Sequence, residues 1–400
     1  MRSSSKNNPM NVLLKNAYLP ANQCVRDIAS VEGKIHFPVP CEAVTYDRIT
    51  DLEGKIVFKG FADIHTHLDK TMVTDKVKNR SGTLSEAIRI MGPYKASMTE
   101  EDVLERAEKT IRMAYSNGTR YIRTHIDVDR AIGLTSVRAL KKLREKYRDV
   151  LKLELVAFPQ EGIAEDPANY AALDEALAAG CDLVGGIPAN EKDPAKHIRM
   201  IFDLAKKYDV DVDMHIDEND DPSSKTILEL AKQTVQNGYE GRVFAGHLCS
   251  MASMDPEEVN AILPEVKKAG IQVISLPSTN LYLEGRGDTT RVRRGIAPIK
   301  KIFRETGIPT AIASDNIRDP FNPFGNGNPL ETALITAHGC HMGGVGDLED
   351  LFDMIHSIPM KMMGLHPEYS EGESAPLLIL DAWKKDEAII SQSIVLDPLK

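Results

Sequence analysis

Apolar runs short enough to be strands alternate along this chain with stretches whose apolar positions recur at the helical period. The strand-like runs are Val57–His65, Arg120–Asp127, Lys152–Pro159, Cys181–Ile187, Asp211–Asp217, Arg242–His247, Gln272–Leu276 and Pro309–Ser314. Helical stretches separate them at Ser85–Met91, Glu100–Tyr115, Ala131–Lys146, Asn169–Ala179, Pro194–Lys207, Ser224–Gln236, Pro256–Ala269 and Pro298–Glu305, and Glu331–Gly339 follows the last strand. Eight strands separated by helices predict an α/β fold, a (β/α)8 barrel of the TIM type. A doubly wound open sheet is the competing architecture. Metal-type residues at the strand ends favour the barrel, which gathers its chemistry at the C-terminal ends of its strands.

The ends of the chain follow another pattern. Val12–Leu14, Asp27–Val31 and Lys34–Phe37, with a turn at Gly33, are strand-like, and so are Leu377–Ala382 and Ala388–Ile390. They predict a small β-sandwich module built from both termini, residues 10–56 and 366–400, around a barrel spanning 57–365. Met1 to Pro9 is polar and reads as a disordered tail.

The formal net charge is −10, which argues against binding a nucleic-acid backbone. No apolar run approaches the ~20 residues of a membrane span, and the first twenty residues lack the apolar core of a signal peptide. Five scattered cysteines without a CxxC pair suit a reducing compartment, so a cytoplasmic protein is expected. Homo-oligomerisation is left open.

The chemistry concentrates at strand ends. His65 and His67 are two residues apart in the first strand and so point to one side. Gln160 closes the third strand, His215 and Glu218 the fifth, His247 the sixth, and Ser314-Asp315-Asn316 the eighth. Taken singly, His215 reads as a hydrogen-bonded core histidine and Asp315 as a turn cap. Together, His65, His67, His215 and Asp315 form a nitrogen and oxygen donor set for one divalent metal with room for water, and such a centre activates water at neutral pH. The fourth strand holds no lysine to bridge a second ion. His338 and His341 fall on a helix beyond the eighth strand and are set aside; His125 reads as a core or supporting residue.

These residues, with Ser81-Gly-Thr-Leu84, Arg123-Thr-His-Ile-Asp-Val128, the segment Asn280 to Thr289 and Arg293-Arg-Gly295, resemble the amidohydrolase superfamily, and within it the cytosine deaminase group. The resemblance implies zinc or iron(II) on His65, His67, His215 and Asp315. It implies that Gln160 reads the amide edge of a small heterocycle, that Glu218 shuttles a proton to a ring nitrogen, and that His247 and Asp315 take the proton of the attacking water. Leu84, Asn316 and Phe321 would line the substrate. The expected activity is aminohydrolysis of a small free N-heterocycle with release of ammonia. The sequence departs from the group at Ser314-Asp315-Asn316, where His-Asp-Asp is usual, and at Phe321, where tryptophan is usual. The N-alkyl-triazine hydrolases share His-Leu-Asp-Lys and Ser-Asp-Asn, so removal of an alkylamine from a triazine-type ring is the alternative.

Overall fold

The computed structural model describes residues 10–39 and 44–398, so the tail expected at Met1 to Pro9 lies outside the described residues. Eight parallel strands, Phe61–Thr66, Thr119–Asp127, Lys152–Phe158, Leu183–Gly186, Asp211–Ile216, Val243–His247, Gln272–Ser275 and Thr310–Ile312, pair in chain order. The ring closes where Thr66 bridges Asp315 and the Asp315 amide donates to the His65 carbonyl at 2.8 Å. This is the TIM-type barrel, with helices outside every crossover.

The helix starts are written in the sequence. Proline opens the helices Pro167–Ala178, Pro194–Tyr208, Pro256–Lys268, Pro277–Leu283 and Pro329–Gly339, where its missing N–H costs nothing. Asp166, Asp193 and Asn328 cap three of them with side-chain oxygens, and Asp255 forms a capping box with Glu258. Ala107, Ile111, Leu140, Phe202 and Ile262 from the helices bury against Leu153, Val212 and Val243 of the strands.

The run expected as one strand over Val57–His65 is two. Gly60 turns the chain at φ +106°, with Arg120 Cγ 2.6 Å and the Gly118 carbonyl 2.8 Å from where a Cβ would sit. Ile56–Phe58, before the break, pairs with Leu378–Leu380 and touches Tyr18; Phe61–Thr66, after it, joins the barrel. The other terminal strands are Val12–Leu19, Cys24–Val31, Lys34–His36, Arg48–Asp51 and Val395–Leu396. Val12 to Lys15 pairs with Arg48–Asp51 while Tyr18 pairs with Ile56, so this second sheet divides along its first strand.

Ala388–Ile390 is not a strand, as its composition suggested, but the end of the helix Lys385–Ile390. Ala388 and Ile389 bury against Leu330, Leu351 and Phe352, and a helix delivers those two neighbours to one groove. The helix Asp347–Ile355 places Leu348, Leu351, Phe352 and Ile355 at helical spacing on one face, and with Ser357–Met362 it packs under the barrel seam.

Candidate metal centre and active site

Three imidazole nitrogens and a carboxylate oxygen converge at the mouth of the barrel. His215 Nε2 lies 3.3 Å from His65 Nε2 and 3.2 Å from His67 Nε2. Asp315 Oδ1 lies 3.8 Å from His65 Nε2 and 3.3 Å from His67 Nε2. A tetrahedral ion with bonds of about 2.0–2.1 Å places its ligands about 3.3–3.4 Å apart. Burial holds all three imidazoles well below their usual pKa, so each offers a lone pair. Both Asp315 oxygens are buried without a hydrogen-bond partner among the described residues, and the three Nε2 atoms face one another and Asp315. Buried polar atoms left in this state need a partner of another kind, and the donor set fits a divalent cation.

The scaffold beneath is charged and closed. Arg123 donates to Asp213 at 3.0 Å and to Glu154 at 3.1 Å, and Asp213 lies 3.4 Å from His125 Nε2 and 4.0 Å from His65 Nδ1. His125 thus lies buried beside Asp213, with its ring 4.0 Å from that of His65. Asp217 accepts from Thr226 and Ile227 at the next helix start and pins the loop that carries His215 and Glu218. Ser314 ties the eighth strand to Asp63 of the first through its amide at 3.1 Å and its hydroxyl. His247 and Asp315 both adopt left-handed backbone, at φ +71° and +59°. Non-glycine residues held there cluster at functional sites.

His247 offers a ligand atom within 4.8 Å of those of His65, His215 and Asp315. Its Nδ1 faces the Asn280 carboxamide at 3.1 Å and Glu218 at 3.6 Å, and its Nε2 is unpartnered. Burial pushes its pKa down to about 4, so it is a neutral base. Glu218 is the opposite case: burial, with Asp315 and Glu284 adding, holds its carboxyl well above the usual range and so favours its protonated form. A base and an acid of these kinds side by side are what addition and elimination at carbon require.

The residues expected to meet substrate are arranged less directly. Gln160 accepts a hydrogen bond from Lys70 at 3.0 Å. Leu84, half-buried at the start of the helix Leu84–Lys95, packs on the cluster that holds Phe321 and Val73. Asn316 does not stand free: its side-chain amide donates to Asp319 at 2.6 Å, and its main-chain carbonyl accepts from Asn322 at 3.2 Å. Sequence reasoning gave no role to Lys70, Asp319, Asn280 or Phe158. Phe158 stacks on His215 at 4.3 Å and 26°. Its signal was available in Phe158-Pro159-Gln160, an aromatic at a strand end beside a polar residue.

Solved structures and curated relatives share this architecture. A 5-methylcytosine deaminase from Klebsiella pneumoniae superposes with a TM-score of 0.89 at 35% identity, covering 97% of this chain and 95% of that one. An N-isopropylammelide isopropylaminohydrolase from Burkholderia multivorans shares the fold at a TM-score of 0.83 and 24% identity, covering 98% and 97%. N-isopropylammelide isopropyl amidohydrolase of Pseudomonas sp. strain ADP is 32% identical over 392 residues, 96% of this chain and 94% of its own length. Pterin deaminase of Rhizobium rhizogenes is 33% identical over 310 residues, 76% and 70%. The match to the amidohydrolase family runs over residues 48–393, from the module strand Arg48–Asp51 through the barrel to the terminal helix, and every converging side chain falls inside it: the chain belongs to the amidohydrolase family.

Proposed function

We propose that this protein is a metal-dependent aminohydrolase that replaces the amino group of a small free N-heterocycle, a cytosine-like pyrimidine or related ring, with oxygen and releases ammonia. The observation that carries the reading is the convergence of three neutral imidazoles and Asp315 beside the buried Glu218, whose carboxyl is held well above its usual range, and a neutral His247. His65, His67, His215 and Asp315 would hold one ion, zinc or iron(II), which would supply a water nucleophile at neutral pH. His247 and Asp315 receive the proton of that water. Glu218 protonates the ring nitrogen next to the amino-bearing carbon, which makes that carbon electrophilic, and then returns a proton to the leaving nitrogen. Water enters as C=O and the amino group departs as NH3, so the step balances without a further reactant. The relatives that act on 5-methylcytosine and pterin support a ring of this class.

A second reading is removal of an alkylamine from a triazine-type ring. The 32% identity over nearly the whole chain and the neutral Asn316 favour it; the buried acid at Glu218 favours the first. The test is ammonia release from cytosine, 5-methylcytosine, isocytosine, isoguanine, pterin and creatinine, against alkylamine release from N-alkyl triazines, with metal content measured on the same preparation. Ammonia from a ring with about one ion per chain is the expected result. Alkylamine release alone gives the second reading, and turnover without metal overturns both.

A further inference from the structure

From the buried contacts of Lys70 we infer that it is a positioning residue, which fixes the Gln160 carboxamide so that the site accepts only rings carrying a hydrogen-bond acceptor on the edge that faces Gln160. The inference rests on the reading of the site as one for a small N-heterocycle.

An ammonium has three donors and no acceptor. Whatever atom of Gln160 stands 3.0 Å from Lys70 Nζ must therefore be the carbonyl oxygen, and the chemistry settles the orientation that geometry alone leaves open. The Gln160 Nε2 then points away from Lys70, and among the described residues it makes no hydrogen bond. The Gln160 main chain is held as well, because its carbonyl accepts from Asn190 at 2.8 Å. A glutamine anchored at both ends presents its Nε2 N–H to the substrate in one fixed direction, with its oxygen held by Lys70.

Lys70 cannot easily release this grip. It is 1% exposed, and its ammonium lies 5.5 Å from the Phe158 ring centroid and 5.2 Å from that of Phe321. It donates to Asp127 Oδ1 at 2.9 Å. The Asp127 backbone amide in turn donates to Asp69 at 2.8 Å. Asp127 is shared with Lys95, which lies 3.1 Å from its other oxygen and 2.7 Å from both Asp129 and Glu161. Four strand ends or loops thus lock one ammonium. Burial alone would favour the neutral amine, but Asp127 and Asp69 outweigh it and keep Lys70 charged.

A pair of probes that lack the second ring nitrogen needed for water to add at the ring separates the claim from turnover. Pyridin-2-one carries a ring carbonyl; 2-aminopyridine carries a donor in its place, and an ammonia assay confirms that it is not turned over. Calorimetry on the zinc-reconstituted protein is expected to give pyridin-2-one at least about tenfold the affinity of 2-aminopyridine. Lys70→Met frees the carboxamide to turn and should shrink that ratio to within about threefold. In a Gln160→Ala background the same Lys70→Met change should leave the ratio unmoved, because the two residues act as one unit. Gln160→Glu, which keeps the contact to Lys70 and has no N–H, should reverse the preference and serves if Lys70→Met is unstable. A ratio that survives Lys70→Met, an equal effect of Lys70→Met with and without Gln160, an unreversed preference in Gln160→Glu, or binding of neither probe overturns the inference. If the ratios behave as stated and no ring yields ammonia, the proposed reaction fails while the role of Lys70 stands.

Discussion

At the scale of single residues, the site is an arrangement of protonation states imposed by burial. Burial holds the Glu218 carboxyl well above the range of an exposed one, and it lies 3.6 Å from His247, the proposed base. Glu218→Gln keeps the shape and removes the acid. It is expected to lower turnover at least ~10²-fold while metal content stays that of the natural protein; near-normal turnover in that variant would place proton transfer elsewhere. Asn316 shows how a neighbour changes an expectation. The sequence suggests a carboxamide free to turn toward the ring, but Asp319 takes its amide at 2.6 Å. Burial already pushes the Asp319 carboxyl up to about 7. Asn316→Asp would set two buried carboxyls against each other with one proton between them. Their folded pKa values would be raised, the native state would bind the extra proton, and stability would fall as pH rises through that raised value. Unfolding midpoints should therefore show the variant losing more, relative to the natural protein, at pH 8.5 than at pH 6. An equal loss at both would mean the carboxylates are not coupled.

At the scale of elements, the alternation of apolar runs was enough to place eight strands, because barrel strands buried on both faces read as short apolar segments. His65, His67, His215 and Asp315 were legible as candidates because polar residues at strand ends have no packing reason to be there. The break at Gly60 was not legible. Ile56 to Phe61 is apolar throughout apart from Lys59 and Gly60, and only the crowding by Gly118 and Arg120 shows that the glycine reverses the chain. Nor was the helix at Ala388–Ile390, whose few apolar residues fit either period until Phe352 and Leu330 fix the groove. His356, between the helices Asp347–Ile355 and Ser357–Met362, lies 3.0 Å through Nδ1 from the Gly60 carbonyl and so braces that break. Burial lowers its pKa to about 4, against an unfolded value near 6.5. Between those values the unfolded chain binds a proton that the native chain refuses, so stability is full above about 6.5 and falls toward 4. His356→Asn retains a donor for Gly60 and cannot titrate. Denaturant unfolding at pH 7 and pH 5 should show the variant losing about 2 kcal/mol less than the natural protein. Identical pH dependence would assign the acid sensitivity to other groups.

At the scale of the molecule, the candidate metal ligands lie across the closure of the barrel. His65 and Asp315 belong to the first and eighth strands, and the same two residues make the backbone hydrogen bond that joins them. Stripping the ion with a chelator is expected to lower the melting temperature and to raise amide exchange first in Phe61–Thr66 and Thr310–Ile312. Exchange that rises evenly around the barrel would separate metal from closure. The second sheet has its own consequence. Ile56–Phe58 is wholly buried, and Leu378–Leu380 covers one of its edges. During translation those two strands emerge roughly 320 residues apart, so at about 5–20 residues per second the first waits on the order of 15 to 60 seconds for the second. For that time a bare apolar edge stands beside the nascent chain, the kind of surface that chaperones hold and that pairs wrongly with other chains. Ribosome-bound chains stalled before residue 378 should be the species that bind chaperone most strongly, and the full chain once released from the ribosome should let it go.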